Sequence, residues 1–129
     1  MPKAKQLTIR VEDRPGMLGE VASALGAEKV NILAFTAGVA EGSGVLHLVV
    51  DKPTAARKVF AECGWETSGE DVVRMNLADK PGGLGRVAKK LGEAGVNIQY
   101  AYTGSAKTAE RVNTYFAVSD LEAALKALG

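Results

Sequence analysis

The passage VEDRPGMLGEVASALGAEKVNIL, residues 11–33, returns at residues 77–99 as LADKPGGLGRVAKKLGEAGVNIQ, and no gap is needed to align the two. One spacing of 66 positions relates Asp13 to Asp79, Pro15 to Pro81, Leu18 to Leu84, Gly26 to Gly92 and Asn31 to Asn97. Similarity at so long a period means one supersecondary unit used twice, and two copies are too few to stack as a solenoid. The expected organisation is a pseudo-symmetric pair of units, residues 1–70 and 71–129. Units this small fold alone only marginally, so each gains from sharing an interface.

Local patterns give each unit the same series of elements. Leu7, Ile9 and Val11 alternate with Thr8, Arg10 and Glu12, the period of a half-buried strand. Pro15 and Pro81 suit the first position of a helix, where a missing N–H has no intrahelical partner to lose. The acid two residues earlier, Asp13 or Asp79, suits the helix dipole. Leu18, Val21, Ala22 and Leu25, like Leu84, Val87, Ala88 and Leu91, fall at helical spacing and predict one apolar stripe per helix. Gly26 and Gly92 are candidate helix stops, with Gly95 an equal candidate in the second copy. The runs KVNILAFTAGV and GVLHLVVD, and later GVNIQYAYTG and RVNTYFAVS, are β-prone. PTAARKVFAEC and DLEAALKAL then read as second helices, opened by Pro53 and by Ser119 or Asp120.

The order is strand, helix, strand, strand, helix, twice. GWETS supplies a short closing strand for the first unit, which completes a ferredoxin-like βαββαβ fold. The chain reaches Gly129 directly after the last helix, so the second unit is expected to lack its final strand. The predicted class is α+β: two ferredoxin-like units in tandem, each an open antiparallel sheet with helices on one face. The first strand of the second unit is then an edge unless another segment or another chain pairs with it. Val45, His47 and Val49 alternate with Leu46, Leu48 and Val50, so neither face of that strand suits water. This predicts burial of the remaining face or an open edge by the other repeat and by a second chain, in a homodimer.

Composition removes several classes of function. With 16 basic and 15 acidic residues the formal net charge is +1, which offers neither nucleic acid nor an anionic membrane an electrostatic reason to bind. No run of about 18 apolar residues is present to span a bilayer, and the N-terminal stretch has no apolar signal region. Cys63 is the single cysteine, so no internal disulfide forms, and the expected location is the cytoplasm. His47 is the single histidine, without the partners of a metal site or of a catalytic triad. Gly82-Gly83-Leu84-Gly85 is not followed by the Lys-Ser or Lys-Thr of a phosphate loop. Tyr100, Tyr102 and Tyr115 lack the basic stripe of an RNA platform and read as packing residues. The chain is expected to be a binding protein, with no cofactor and no enzymatic activity.

The Asp-Arg-Pro-Gly-Met-Leu-Gly and Val-Asn-Ile of the first copy resemble the ACT domain, a small amino-acid-sensing module. So do the Asp-Lys-Pro-Gly-Gly-Leu-Gly and Val-Asn-Ile of the second. The resemblance covers nearly the whole chain and is closest to short proteins made only of two such domains. It implies an effector site where paired domains meet, formed by the loop before the first helix and the strand that opens at Val-Asn-Ile. On this sequence those elements hold Val11, Asp13, Pro15, Gly16, Met17, Leu18, Asn31 and Ile32 in one copy. Leu77, Asp79, Pro81, Gly82, Gly83, Leu84, Asn97 and Ile98 are their counterparts.

The chemistry of these residues suits a zwitterion. Backbone N–H groups at a helix start hold a carboxylate, glycine lets the ligand approach the main chain, and Asp13 or Asp79 accepts from an ammonium. Asn31 or Asn97 both donates and accepts, and Val11 and Met17 are left to meet the ligand's side chain. The other reading of each acid is a turn and capping residue. Met17 against Gly83 and Phe35 against Ala101 make the two pockets unequal. The expected function is an amino-acid sensor in amino-acid metabolism. The alternative is a dissociable regulatory subunit that acts mainly by contact with a biosynthetic enzyme.

Overall fold

The computed structural model describes residues 2–129. Its elements are β1 (Lys3–Val11), α1 (Met17–Ala27), β2 (Ile32–Ala40), β3 (Ser43–Val50), α2 (Pro53–Glu62), β4 (Thr67–Ala78), α3 (Gly83–Glu93), β5 (Ile98–Gly104), β6 (Arg111–Val118) and α4 (Leu121–Leu128). Two compact units divide them: Lys5–Glu70, and Asp71–Gly129 together with residues 2–4.

In the unit Lys5–Glu70, β3 lies between β1 and β2 and is antiparallel to both. Glu41 and Gly42 join β2 to β3 with φ of 52° and 81°, the paired left-handed residues of a tight hairpin turn whose twist matches that of the strands. The inner face of β3, Leu46, Leu48 and Val50, packs with Leu7 and Ile9 of β1, Val21 and Leu25 of α1, and Phe60 of α2. Trp65 tilts against Phe60 with ring centroids 6.1 Å apart. Pro53 opens α2 as its sequence position predicts.

The other unit repeats the plan. Strand β6 pairs antiparallel with β4 and β5, and Val73, Leu91, Val96, Phe116 and Ala124 form its core. Asp120 caps α4 by accepting the Ala123 N–H at 3.1 Å. Tyr102 and Tyr115 stack on each other, centroids 5.3 Å apart, and both are buried. Each unit also carries one strand irregularity at the same place, between Ile32 and Ala34 in β2 and between Ile98 and Tyr100 in β5.

The expectation of two separate open ferredoxin-like sheets, the second without its last strand, is corrected by the strand order. All six strands hydrogen-bond in one closed order, β1-β3-β2-β5-β6-β4, a barrel without a free edge. The physical reason lies in two strands that outrun one repeat. GWETS does not end in a short strand but feeds β4, which runs 12 residues across the boundary of the units. Pro2 supplies pairing that the second unit lacks in its own sequence, with its carbonyl accepting the Arg74 N–H at 3.0 Å. Lys3 lies 4.0 Å from the Asp71 carboxylate in the same unit.

The expected apolar stripe holds at Val21, Ala22 and Leu25 and at Val87, Ala88 and Leu91, all buried or half-buried, and fails only at its first position in each helix. Met17, Val21 and Leu25 are the buried positions of α1, and Gly83 and Leu91 those of α3. Leu18 and Leu84 are 40% and 55% exposed.

Candidate functional site

Each Pro-Gly forms a turn rather than a first helical position. Met17 N–H donates to the Arg14 carbonyl at 3.4 Å and Gly83 N–H to the Lys80 carbonyl at 3.1 Å. Between them Pro15 and Pro81 precede Gly16 and Gly82, whose φ and ψ are 89° and −7° in the first copy and 84° and −8° in the second. That is a type II turn, with proline at its second residue and a left-handed glycine at its third. Helix α1 therefore starts at Met17 and α3 at Gly83. The first intrahelical bonds run from Glu20 N–H to the Gly16 carbonyl at 2.9 Å and from Arg86 N–H to the Gly82 carbonyl at 3.1 Å. The N–H groups of Leu18 and Gly19, and of Leu84 and Gly85, have no intrahelical carbonyl to meet.

Asp13 and Asp79 are exposed beside these helix starts. Among the described residues neither carboxylate makes a hydrogen bond or an ion pair, and the glycine at each N-cap carries no side-chain cap. The Asp79 backbone is fixed by its N–H donating to the Glu110 carbonyl at 2.9 Å.

Val-Asn-Ile is explained residue by residue. Val30 N–H reaches the Leu25 carbonyl at 3.0 Å while Lys29 N–H reaches that of Gly26 at 3.0 Å. Val96 and Gly95 do the same with Leu91 and Gly92, at 2.9 and 3.0 Å. This is the Schellman helix ending, in which the residue after the left-handed one packs back on the last turn. Val30 and Val96 are accordingly buried, and the stops are Lys29 and Gly95 rather than Gly26 and Gly92. Asn31 N–H donates to Asp51 Oδ1 at 2.9 Å and its carbonyl accepts from Asp51 N–H at 3.1 Å. Asn97 is held in the same way by Ser119, through Oγ at 3.0 Å and N–H at 2.9 Å. Among the described residues only main-chain atoms of the asparagines are used, and both residues are exposed. Asp51 and Ser119 were invisible in the repeat because they lie outside the repeated passage.

The remaining candidates divide by burial. Val11 and Met17 pack into the first unit's core, and Leu77 is buried in the second. Ile32 and Ile98 are half-buried against their own cores. Pro15, Pro81, Gly16 and Gly82 are exposed, whereas Gly83 is buried. Among the described residues no hydrogen bond joins the loop of either copy to its asparagine.

The two loops differ in charge. In the first, Arg14 is ion-paired with Glu20 at 2.9 Å and with Glu12 at 3.2 Å, and the hydrogen bond to Glu20 raises the Arg14 pKa. Ala78 and Arg86 stand where these acids would be in the second copy, beside Lys80. There a cleft of about 310 Å³ opens, lined by Lys80, Arg86, Lys90 and Arg111 with no carboxylate. The exchange of Glu20 for Arg86 was the available sequence signal, and motif matching alone passed over it.

On β1 and β3 a polar group surrounds His47. Thr8 Oγ1 lies 2.8 Å from His47 Nδ1 and 3.1 Å from Glu70 Oε2, and Gln6, fully buried, places Nε2 3.3 Å from the same ring nitrogen. A carboxylate only accepts, so Thr8 gives its one proton to Glu70 and takes one from His47 Nδ1–H. Burial lowers the His47 pKa, and Glu70 opposes that shift. Among the described residues no group of three or more His, Cys, Asp or Glu is placed to hold a metal ion. No helix there is long and apolar enough to cross a membrane.

Comparison with known proteins agrees with the repeat. A protein from Bacteroides thetaiotaomicron of known structure superposes with a TM-score of 0.88 at 28% identity, over 98% of this chain and 87% of that one. The ligand-free regulatory subunit of aspartate kinase from Thermus thermophilus shares the fold at a TM-score of 0.68 and 20% identity, over 96% of this chain and 89% of that one. The corresponding subunit from Thermus flavus does so at 0.61 and 20% identity, over 99% and 91%. No curated protein matches the chain at a significant level. The sequence profile of the ACT domain pair matches residues 3–109, and the chain belongs to that family.

Proposed function

We propose that this ACT domain pair is a regulatory protein that acts by contact with a biosynthetic enzyme and takes a free amino acid as its effector. The observation that carries the reading is the duplicated loop. Each copy sets an exposed carboxylate without an internal partner, Asp13 or Asp79, beside backbone N–H groups that the helix leaves open. A zwitterion needs those two functions side by side. Likeness in fold to regulatory subunits of aspartate kinase supports the contact with an enzyme. Val11 and Met17 are committed to the core, so choice of the ligand's side chain passes to the exposed Leu18 and Leu84.

The proposal includes a homodimer. Phe35 and Val39, 47% and 62% exposed on one strand, give apolar area for a second copy to cover. Pull-down from a native lysate, with and without amino acids, tests the enzyme contact. Calorimetry with an amino acid, its amide and its N-acetyl derivative tests the effector. Equal affinity for all three removes the zwitterion, and a monomer at high concentration in sedimentation equilibrium removes the dimer.

A further inference from the structure

We propose that the cleft bounded by β4, β6 and α3 binds a small oxyanion carrying at least two negative charges, a phosphorylated or a polycarboxylate metabolite. The inference does not depend on the amino-acid reading, because its charged residues are not those assigned to the zwitterion.

Arg111 of β6 lines the cleft. Its Nε donates to Asn76 Oδ1 at 2.6 Å and Nη2 to the Asn76 carbonyl at 2.8 Å. Asn76 Nδ2 in turn donates to Asn113 Oδ1 at 3.1 Å, and Asn113 Nδ2 to the Ser105 carbonyl at 2.7 Å. All these partners are neutral. They fix the guanidinium plane and leave its charge uncompensated, with donors to spare for an oxyanion.

Three further cations, Lys80, Arg86 and Lys90, line the same space, and none makes an ion pair among the described residues. Beyond Arg111 a second hollow of about 470 Å³ adds Arg74 and Lys107, again without a carboxylate. Like charges held together repel unless a counterion joins them, and a monoanion leaves most of this charge unmatched. A volume of about 310 Å³ fits a small molecule.

The first repeat serves as an internal comparison. Aligned at the same spacing, Arg14 matches Lys80, Glu20 matches Arg86 and Ala24 matches Lys90. Arg14 is neutralised within the chain by Glu12 and Glu20. Met17, buried in the core, stands where Gly83 lies beside the cleft. A Cβ on Gly83 would come within 2.5 Å of the Ala78 carbonyl oxygen, so glycine is required for this loop to close on β4. One unit thus discharges the site internally and the other leaves it open and positive.

Calorimetry at physiological ionic strength, without amino acids, tests the proposal with pyrophosphate, citrate and acetate as probes. Pyrophosphate or citrate binds and acetate does not. Preference for pyrophosphate marks a phosphorylated ligand, and preference for citrate a polycarboxylate. Arg86→Glu, which restores the residue type of the first repeat, weakens binding about tenfold or more. Lys58→Glu on α2 makes the same change in net charge outside the cleft and alters affinity less than about twofold. Arg111→Gln is the second variant, read beside melting curves so that misfolding of either is recognised. Failure of both polyanions to bind overturns the proposal, as does an equal loss in Lys58→Glu. Displacement of both by a short single-stranded oligonucleotide at lower concentration overturns it in favour of nucleic acid.

Discussion

Lys29 and Gly95 occupy the same place in the two repeats, and both are left-handed, with φ of 58° and 75°. Glycine carries no steric penalty there, whereas a lysine side chain costs about 1–2 kcal/mol. Lys29→Gly recovers that cost and adds about 0.5–1 kcal/mol of unfolded-chain entropy. The expected outcome in urea denaturation is a net stabilisation of roughly 0.5–1 kcal/mol, with Gly95→Ala destabilising by about 1 kcal/mol. A Lys29→Gly variant less stable than wild type would refute the account of the helix ending.

Gly83 should be intolerant of any side chain. Alanine there meets the Ala78 carbonyl oxygen, and the backbone shift this forces costs about 1–3 kcal/mol. Gly92, inside α3 with open space around it, makes the matched control. Gly92→Ala is expected to be neutral or to stabilise by up to about 1 kcal/mol. Equal effects at the two positions would mean that the loop relaxes freely.

Asp13→Asn and Asp79→Asn separate ligand from helix support. Gly16 and Gly82 occupy the N-caps and neither acid is bonded to its helix, so each variant should melt within about 1 kcal/mol of wild type. If the acid meets an ammonium, losing that charged hydrogen bond costs about 1.5–3 kcal/mol, roughly ten- to over a hundredfold in affinity. The expected result is loss of ligand-induced stabilisation in at least one variant. Normal binding by both would remove the acids from the site.

Stability should fall on mild acidification through His47. Its folded pKa lies below the ordinary value because burial disfavours the imidazolium. In the unfolded chain it takes a proton near pH 6.5, so the unfolded state binds more protons below that pH. The neutral ring's contribution is complete above the unfolded pKa and is lost as pH falls from there toward the folded value. Denaturation midpoints measured across this range, in wild type and His47→Gln, should show a shallower slope in the variant. Parallel curves would place the acid sensitivity elsewhere.

What the sequence determined by itself is what depends on near neighbours along the chain. The repeat, the order of strands and helices, the proline start of α2, the Asp120 cap and the exposed acids at 13 and 79 all follow from spacing and residue type. Pro-Gly was read as a helix start when it was a turn, because proline's fixed φ suits both and only the left-handed Gly16 and Gly82 distinguish them. Leu18 and Leu84, the second residues of α1 and α3, are the one position of the predicted stripe left exposed, while Met17 and Gly83 before them are buried. The tertiary structure alone decided the pairing of Pro2 with Arg74, the passage of β4 across the boundary of the units and the closed order of six strands. It also decided that Asn76 on β4 would hold the Arg111 guanidinium of β6. Strand edges and cross-strand partners such as these are chosen by groups distant in sequence, and no local propensity carries that information.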